Sequence, residues 1–320
     1  MTTAIAALGI SHSPLKGLLT PKDPDSEPMH ERALADLGAW VGDFKPDFIV
    51  VFGPDHYRGF FNDLMPPFCI GIEAHSIGDW HTSGGPIKVP GDIALACTRH
   101  LHEKGIDAAF SHRMKVDHGF VQPLDWLGIG LARLPVLPVF INCWAKPLPS
   151  FRRAREFGSA IGRFLAGLGK RVLIIGSGGL SHDPPVPDLD TAPPEVRERI
   201  IVRQHLSVQD LEDVMVRVTS EAREFLTGRN ALLTPDEKWD REFLALLDSG
   251  ELERADALGE GMEKVAGRGS HEVRTWVAAF SALRAASGPY RTELLYYRNV
   301  PEWLTGMGMV RGMPANGTRA

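Results

Sequence analysis

The chain has 320 residues, 43% of them hydrophobic and 23% charged, with a formal net charge of −5. It carries no basic stripe, which argues against nucleic acid as a partner, because such binding rests on neutralised phosphates. No run of about 18 apolar residues occurs, which argues against a membrane span.

Three cysteines, Cys69, Cys97 and Cys143, stand singly with no C-x-x-C. Their odd number and isolation read as small buried apolar residues in a reduced, cytoplasmic protein. The opening "MTTAIAALGISHSP" lacks a basic leader and reads as a first strand, not a signal peptide. Residues 29–44 follow as a helix, with Leu34, Leu37 and Val41 at spacings of three and four. "PDFIVVFGPDH" is β-branched and aromatic throughout and stops at Gly53-Pro54, so it reads as a buried strand.

The segment 54–90 is dense in Gly, Pro and polar residues and reads as a long functional loop with short strands. "DIALACTRHLHEKG" predicts a helix stopped by Gly105. Then come "DAAFSH" as strand, "VQPLDWLGIGLARL" as helix, "PVLPVFINC" as strand, "SFRRAREFGSAIGRFLAGLGK" as helix and "RVLIIGSG" as strand. Residues 196–286 read as almost wholly helical, and "YRTELLYYRNV" as a last strand. This alternation predicts an α/β fold: a central mixed or parallel β-sheet flanked by helices, with a helical insertion in the C-terminal third. No linker or repeat splits the chain, so one catalytic domain over 1–320 is expected.

"GSGGLSHDPPVP" (176–187) looks at first like a phosphate loop. It lacks the third glycine of G-x-G-x-x-G, the lysine of a P-loop and the spacing of a G-x-S-x-G elbow. Asp183-Pro184-Pro185 also bars a helix from starting directly after the glycines, and a phosphate needs that helix end. The alternative is positional: ligands in α/β sheets bind beyond the carboxyl ends of strands. His182 sits there, and so do His12 of "LGISHSP" and His56 of "VVFGPDHY", while His118 of "MKVDHGF" lies in a loop before a helix.

In "GRGSHEV", Ser270 is placed as a helix N-cap with the helix beginning at His271-Glu272. Glu272 is then either a first-turn acid favoured by the helix dipole or a carboxylate metal ligand. Two histidines with one carboxylate form the facial triad of non-haem Fe(II) oxygenases. A Zn2+ hydrolase, or a non-catalytic binding protein of the same fold, stays open on these residues alone.

Taken together, "SHSPL", "PDHYRGFFNDLMPPFCIG", "VDHGFVQPLDWL", "PVLPVFIN", "KRVLIIGSGGLSHDPPVP" and "SHEVRTWVAAFSAL" resemble the class III extradiol catechol dioxygenases, over about residues 5–305. The resemblance implies that His12, His56 and Glu272 bind Fe(II), with His118 as proton donor and His182 as proton acceptor. It implies a catechol with a carboxylated side chain and O2 as substrates, and a homo-oligomer. Arg58 and Lys115 are candidates by position for the substrate carboxylate. His75, His81 and His112 are candidate partners of the site, and Phe60, Phe61 and Phe68 candidate pocket walls. His30, His100, His102 and His205 read as surface or helix positions.

Overall fold

A computed structural model describes residues 4–203 and 206–315; His205 lies outside them. In chain order the first half runs β1 (Ala4–Ile10), α1 (Ser26–Phe44), β2 (Phe48–Gly53), β3 (Phe68–Gly71), β4 (Ala74–Ser76), β5 (Gly85–Ile87), α2 (Gly91–Glu103), β6 (Ala109–Ser111), β7 (Met114–Val116), α3 (His118–Trp126), β8 (Val136–Ile141), α4 (Phe151–Ala166) and β9 (Arg171–Ser177). The second half is α5 (Pro194–Ile201), α6 (Val208–Leu226), α7 (Glu237–Ser249), α8 (Ala255–Leu258), α9 (Glu263–Ala266), α10 (Val273–Ser287), β10 (Tyr290–Val300) and β11 (Thr305–Pro314).

Eight strands form a mixed sheet in the order β10-β11-β1-β9-β2-β8-β3-β6, as expected for the α/β reading. Its centre, β1-β9-β2-β8, is parallel. These strands are apolar on both faces because both faces are covered. Ile5, Ala7, Val50, Phe52 and Ile174 meet α2, α4 and α10. Leu8, Ile10, Ile49, Val51 and Ile175 meet α1 and α3 on the other side. The glycines of "FGSAIG" let α4 press on α10: a Cβ on Gly158 or Gly162 would lie 2.1 Å from a carbonyl of α10. Among the described residues no helix is long and apolar enough to cross a membrane. The three cysteines are free and buried, as their isolation suggested.

Four readings are corrected. α3 starts three residues earlier than expected, at His118, where the Asp117 carboxylate caps Gly119 N–H, and it ends at Trp126. Gly128 and Gly130 take positive φ just after it, so "GIGLARL" is not helical. A strand, β11, follows β10 and pairs antiparallel with both β10 and β1. Its "TGMGMVRGMP" has only Thr305 and Val310 as β-branched residues, because Gly306 and Gly312 lie against Asp240 and Phe280 with no room for a Cβ and Gly308 is tight against Leu180. Ser270 is not an N-cap: its hydroxyl donates to Gly267 O, residues 268–272 form a 3-10 turn, and α10 begins at Val273.

The fourth correction concerns His30, read as a surface or helix position: it lies on helix α1, but wholly buried and not at the surface. Trp126, Tyr296 and Trp303 surround its ring at 5.3, 5.1 and 5.5 Å, and neither ring nitrogen has a partner. Burial, reinforced by the Lys16 charge, pulls its pKa down to about 3. The unfolded ring takes a proton near its reference value of about 6.5, so falling pH favours the unfolded chain from there down to the folded value. His30 should therefore cost about 2 kcal/mol of stability at pH 5 relative to pH 8. Urea unfolding at the two pH values should show a shallower pH slope for His30→Leu; equal slopes would mean that the ring protonates in place.

Candidate active site

Three of the four singled-out histidines follow parallel strands: His12 after β1, His56 after β2 and His182 after β9. The fourth, His118, opens α3 after β7 of a separate three-stranded sheet. All four line one cavity of about 240 Å³. An enclosed apolar cavity of roughly 150 Å³ accepts one benzene ring, so a ring with a short side chain fits here.

Glu272 reaches this point because α10 leans on the strand ends. Trp276 lies on Gly9 and Gly176, where a Cβ would come within 2.2 and 2.7 Å of it. Its indole N–H donates to Gly178 O (3.0 Å), and the Thr275 hydroxyl donates to Ser177 O (2.8 Å). The Glu272 carboxylate, one turn earlier and fully buried, accepts from Gly179 N–H (2.8 Å) and Trp144 Nε1–H (3.1 Å). It faces His56 Nε2 at 2.9 Å, His182 Nε2 at 3.5 Å and His12 Nε2 at 3.7 Å. A first-turn acid serving the helix dipole would turn towards the N–H groups of its own helix; this one turns to the histidines.

The proton positions can be followed atom by atom. The Ser177 hydroxyl donates its one proton to Gly119 O, so it accepts from His12 Nδ1–H (3.1 Å). That leaves a lone pair on His12 Nε2. His56 donates Nδ1–H to Asp117 (2.8 Å), whose carboxylate also accepts from His56 N–H and Gly119 N–H. His118 donates Nδ1–H, and its backbone N–H, to Asp79 at 2.7 Å each. His182 donates Nδ1–H to Leu180 O (2.8 Å). Every Nδ1 is thus occupied, the arrangement that orients histidine metal ligands.

Burial opposes charge on all these groups, but neighbours redistribute it. Burial outweighs the attraction of Glu272 and pulls His12 down to about 3. At His56 the Asp117 and Glu272 carboxylates overcome burial and raise the ring well above its ordinary value. At Glu272 the surrounding histidines overcome burial and hold the carboxyl well below the usual carboxylate range. His12 and Glu272 are thus in the states a metal binds, whereas His56 must release its Nε2 proton to bind one. N and O ligands about 2.1 Å from a shared metal lie about 3 Å from one another, so this donor set fits a divalent cation. His12, His56 and His118 also bring ligand atoms within 4.8 Å of one another, and Asp79, Asp117 and His118 form a second such group.

The glycines of 176–179 act by absence of a side chain. A Cβ on Gly178 would lie 2.6 Å from Glu272 Cβ, and one on Gly179 2.7 Å from the His182 ring. Gly269 presses on the other side of that ring, where a Cβ would come within 2.2 Å. The stretch is a clamp for His182 and Glu272. Tyr57, Trp80 and Leu304, three non-glycine residues with positive φ, line the same cavity, where strained backbone tends to concentrate.

A family model, "Catalytic LigB subunit of aromatic ring-opening dioxygenase", matches residues 6–308. The chain belongs to this family. It is therefore an extradiol ring-opening dioxygenase, of a metal-dependent kind, as the resemblance implied. Relatives named "2,3-dihydroxyphenylpropionate/2,3-dihydroxicinnamic acid 1,2-dioxygenase" include one from Klebsiella pneumoniae subsp. pneumoniae, 47% identical over 93% of this chain and 95% of its own. Those from Rhodococcus sp and Cupriavidus pinatubonensis are each 46% identical, over 95% and 96% of this chain and 97% of their own. An uncharacterized Escherichia coli K12 protein of solved structure is similar in fold, with a TM-score of 0.53 at 14% identity over 96% of this chain and 98% of its own.

Several dioxygenase site residues were not legible individually. Asp79, Asp117, Ser177 and Trp144 hold the histidines and Glu272, and only Asp117 carried a signal, as the residue before His118. Arg58 and Phe61 line the cavity and Lys115 does not. Phe60 stacks on Phe140 (3.8 Å) and Phe68 on Phe157 (4.2 Å), so both are core. His75, His81 and His112 are exposed and outside the cavity lining.

Proposed function

We propose that the protein is an iron(II)-dependent dioxygenase for 3-(2,3-dihydroxyphenyl)propionate and 2,3-dihydroxycinnamate. With O2 it would open the ring beside the diol to a 2-hydroxy-6-oxo-nona-diene-dioate type product. The observation that carries this reading is the convergence of four oriented imidazoles on a ring-sized cavity, three of them with Nε2 within 3.7 Å of one buried carboxylate. The relatives' names supply the substrate.

In this reading His12 Nε2, His56 Nε2 and the Glu272 carboxylate hold the iron. When bound, iron(II) gives the diol and O2 a common centre and relays electron density between them. The protein's part is proton handling. His182, backed only by a peptide carbonyl, is the acceptor of a phenolic proton at Nε2. His118, whose Nδ1–H is held by the Asp79 carboxylate, is the donor that assists ring opening from Nε2. The grouping of His118 with His12 and His56 favours a second reading, in which His118 is the third ligand; metal content separates the two. The same proposal has one catalytic domain acting in the cytoplasm as a homo-oligomer, checked by light scattering.

Fe(II)-loaded protein given 3-(2,3-dihydroxyphenyl)propionate in air should yield a yellow ring-fission product, with one O2 consumed per catechol. Anaerobic or Zn2+-loaded samples should yield none. No O2 uptake with any catechol would overturn the proposal.

A further inference from the structure

The cavity has a second pole away from the histidines. Arg58, Arg199 and Arg217 line it, from the loop after His56, from α5 and from α6. Arg58 is half-buried; its Nη1 donates to the His56 and Tyr57 carbonyls (3.1 and 3.2 Å), and its Nε is buried with no partner. A buried guanidinium N–H without an acceptor is costly unless something arrives to accept. Asn62 N–H and Nδ2–H both donate to Ile200 O (2.9 Å each), tying the end of α5, and with it Arg199, to the Arg58 loop. Arg217 Nη1 donates to Pro185 O (3.2 Å), so the prolines after His182 seat the third arginine.

Two acids share this wall but are engaged elsewhere. Asp210 closes a capping box with Ser207, and Asp213 accepts from Gln209 (2.9 Å). No carboxylate lies within ion-pair distance of the three arginines among the described residues. Burial, then the neighbouring Arg58 charge and, more weakly, Arg199, push Arg217 below its ordinary value, partly offset by Glu221. Asp210 lies in the field of Arg199 and Glu221 in that of Arg217, but neither forms an ion pair with them, so the three cations keep a seat for an anion.

We propose that Arg58, Arg199 and Arg217 bind the side-chain carboxylate of the catechol, with Arg58 as the anchor nearest the diol. This rests on the proposed function and adds the residues that select an acidic side chain. Arg58 reaches His56 O, so a carboxylate on Arg58 leaves the ring of a short-chain acid beside His56. Arg199 and Arg217 lie on helices packed over the cavity mouth and close on the same group.

The test compares 3-(2,3-dihydroxyphenyl)propionate with uncharged 3-propylcatechol. Wild type should favour the acid in kcat/KM. Arg58→Met should cut the acid-to-neutral ratio by about 10- to 100-fold, mainly through KM, with iron content unchanged. Arg58→Lys, which keeps the charge but loses the fork, should fall between. Arg199→Met and Arg217→Met, on exposed helix positions, should lower the ratio in the same direction and stand in if Arg58→Met does not fold. An unchanged ratio in all three Met variants, with wild type still favouring the acid, overturns the subsite alone. A wild type that cleaves neither catechol overturns the function on which the subsite rests.

Discussion

Glu272→Ala is expected to lose stoichiometric iron and ring-opening activity together, by at least about 10³-fold in turnover. The side chain is one of three proposed ligands and the only anionic one. Its removal also leaves Gly179 N–H and Trp144 Nε1–H without their acceptor in a fully buried position. Breaking a buried charge pair by deleting one partner typically costs about 3–5 kcal/mol. Glu272→Gln separates the two effects: an amide still accepts one of these hydrogen bonds, so much of the stability should return while the metal does not. Iron analysis, thermal unfolding and O2 uptake on both variants check this. Glu272→Gln with full iron and full turnover would return Glu272 to the role of a structural acid.

How far the sequence revealed the site depends on the kind of signal. The histidines were visible because each stands in a Gly/Pro-marked loop near the end of a strand or short sheet, and parallel strand ends converge. Glu272 was visible as a residue but not as a geometry: the sequence could not show that Trp276 lies on Gly9 and Gly176 and so brings the 3-10 turn against the histidines. Asp79 was invisible because it acts from 39 residues before His118, out of a turn in which Trp80 has φ 53°. β11 was missed because its glycines answer to tertiary neighbours and not to strand propensity. The burial of His30 was not legible because a polar residue on an amphipathic helix is ordinarily outside, and only the fold supplies the aromatic cage around it.

His182→Ala is expected to keep its iron and lose about 10²–10⁴-fold in turnover, the usual worth of a positioned acid or base. The distances alone do not separate it from a ligand: His182 Nε2 lies 3.5 Å from Glu272, His12 Nε2 3.7 Å. The measurement that separates them is the iron content of each variant. His12 is oriented by a hydroxyl whose own proton is committed to Gly119 O. His182 is held by Leu180 O, with Gly179 and Gly269 against its ring, at the cavity wall. Iron content and single-turnover rates on His182→Ala and His118→Ala, measured together, decide the roles. Two variants with full iron and slow chemistry support an acid–base pair. Iron loss in His182→Ala would move it into the ligand set, and iron loss in His118→Ala would favour the three-histidine group. A variant with both iron and full turnover would show that its histidine carries no proton in the reaction.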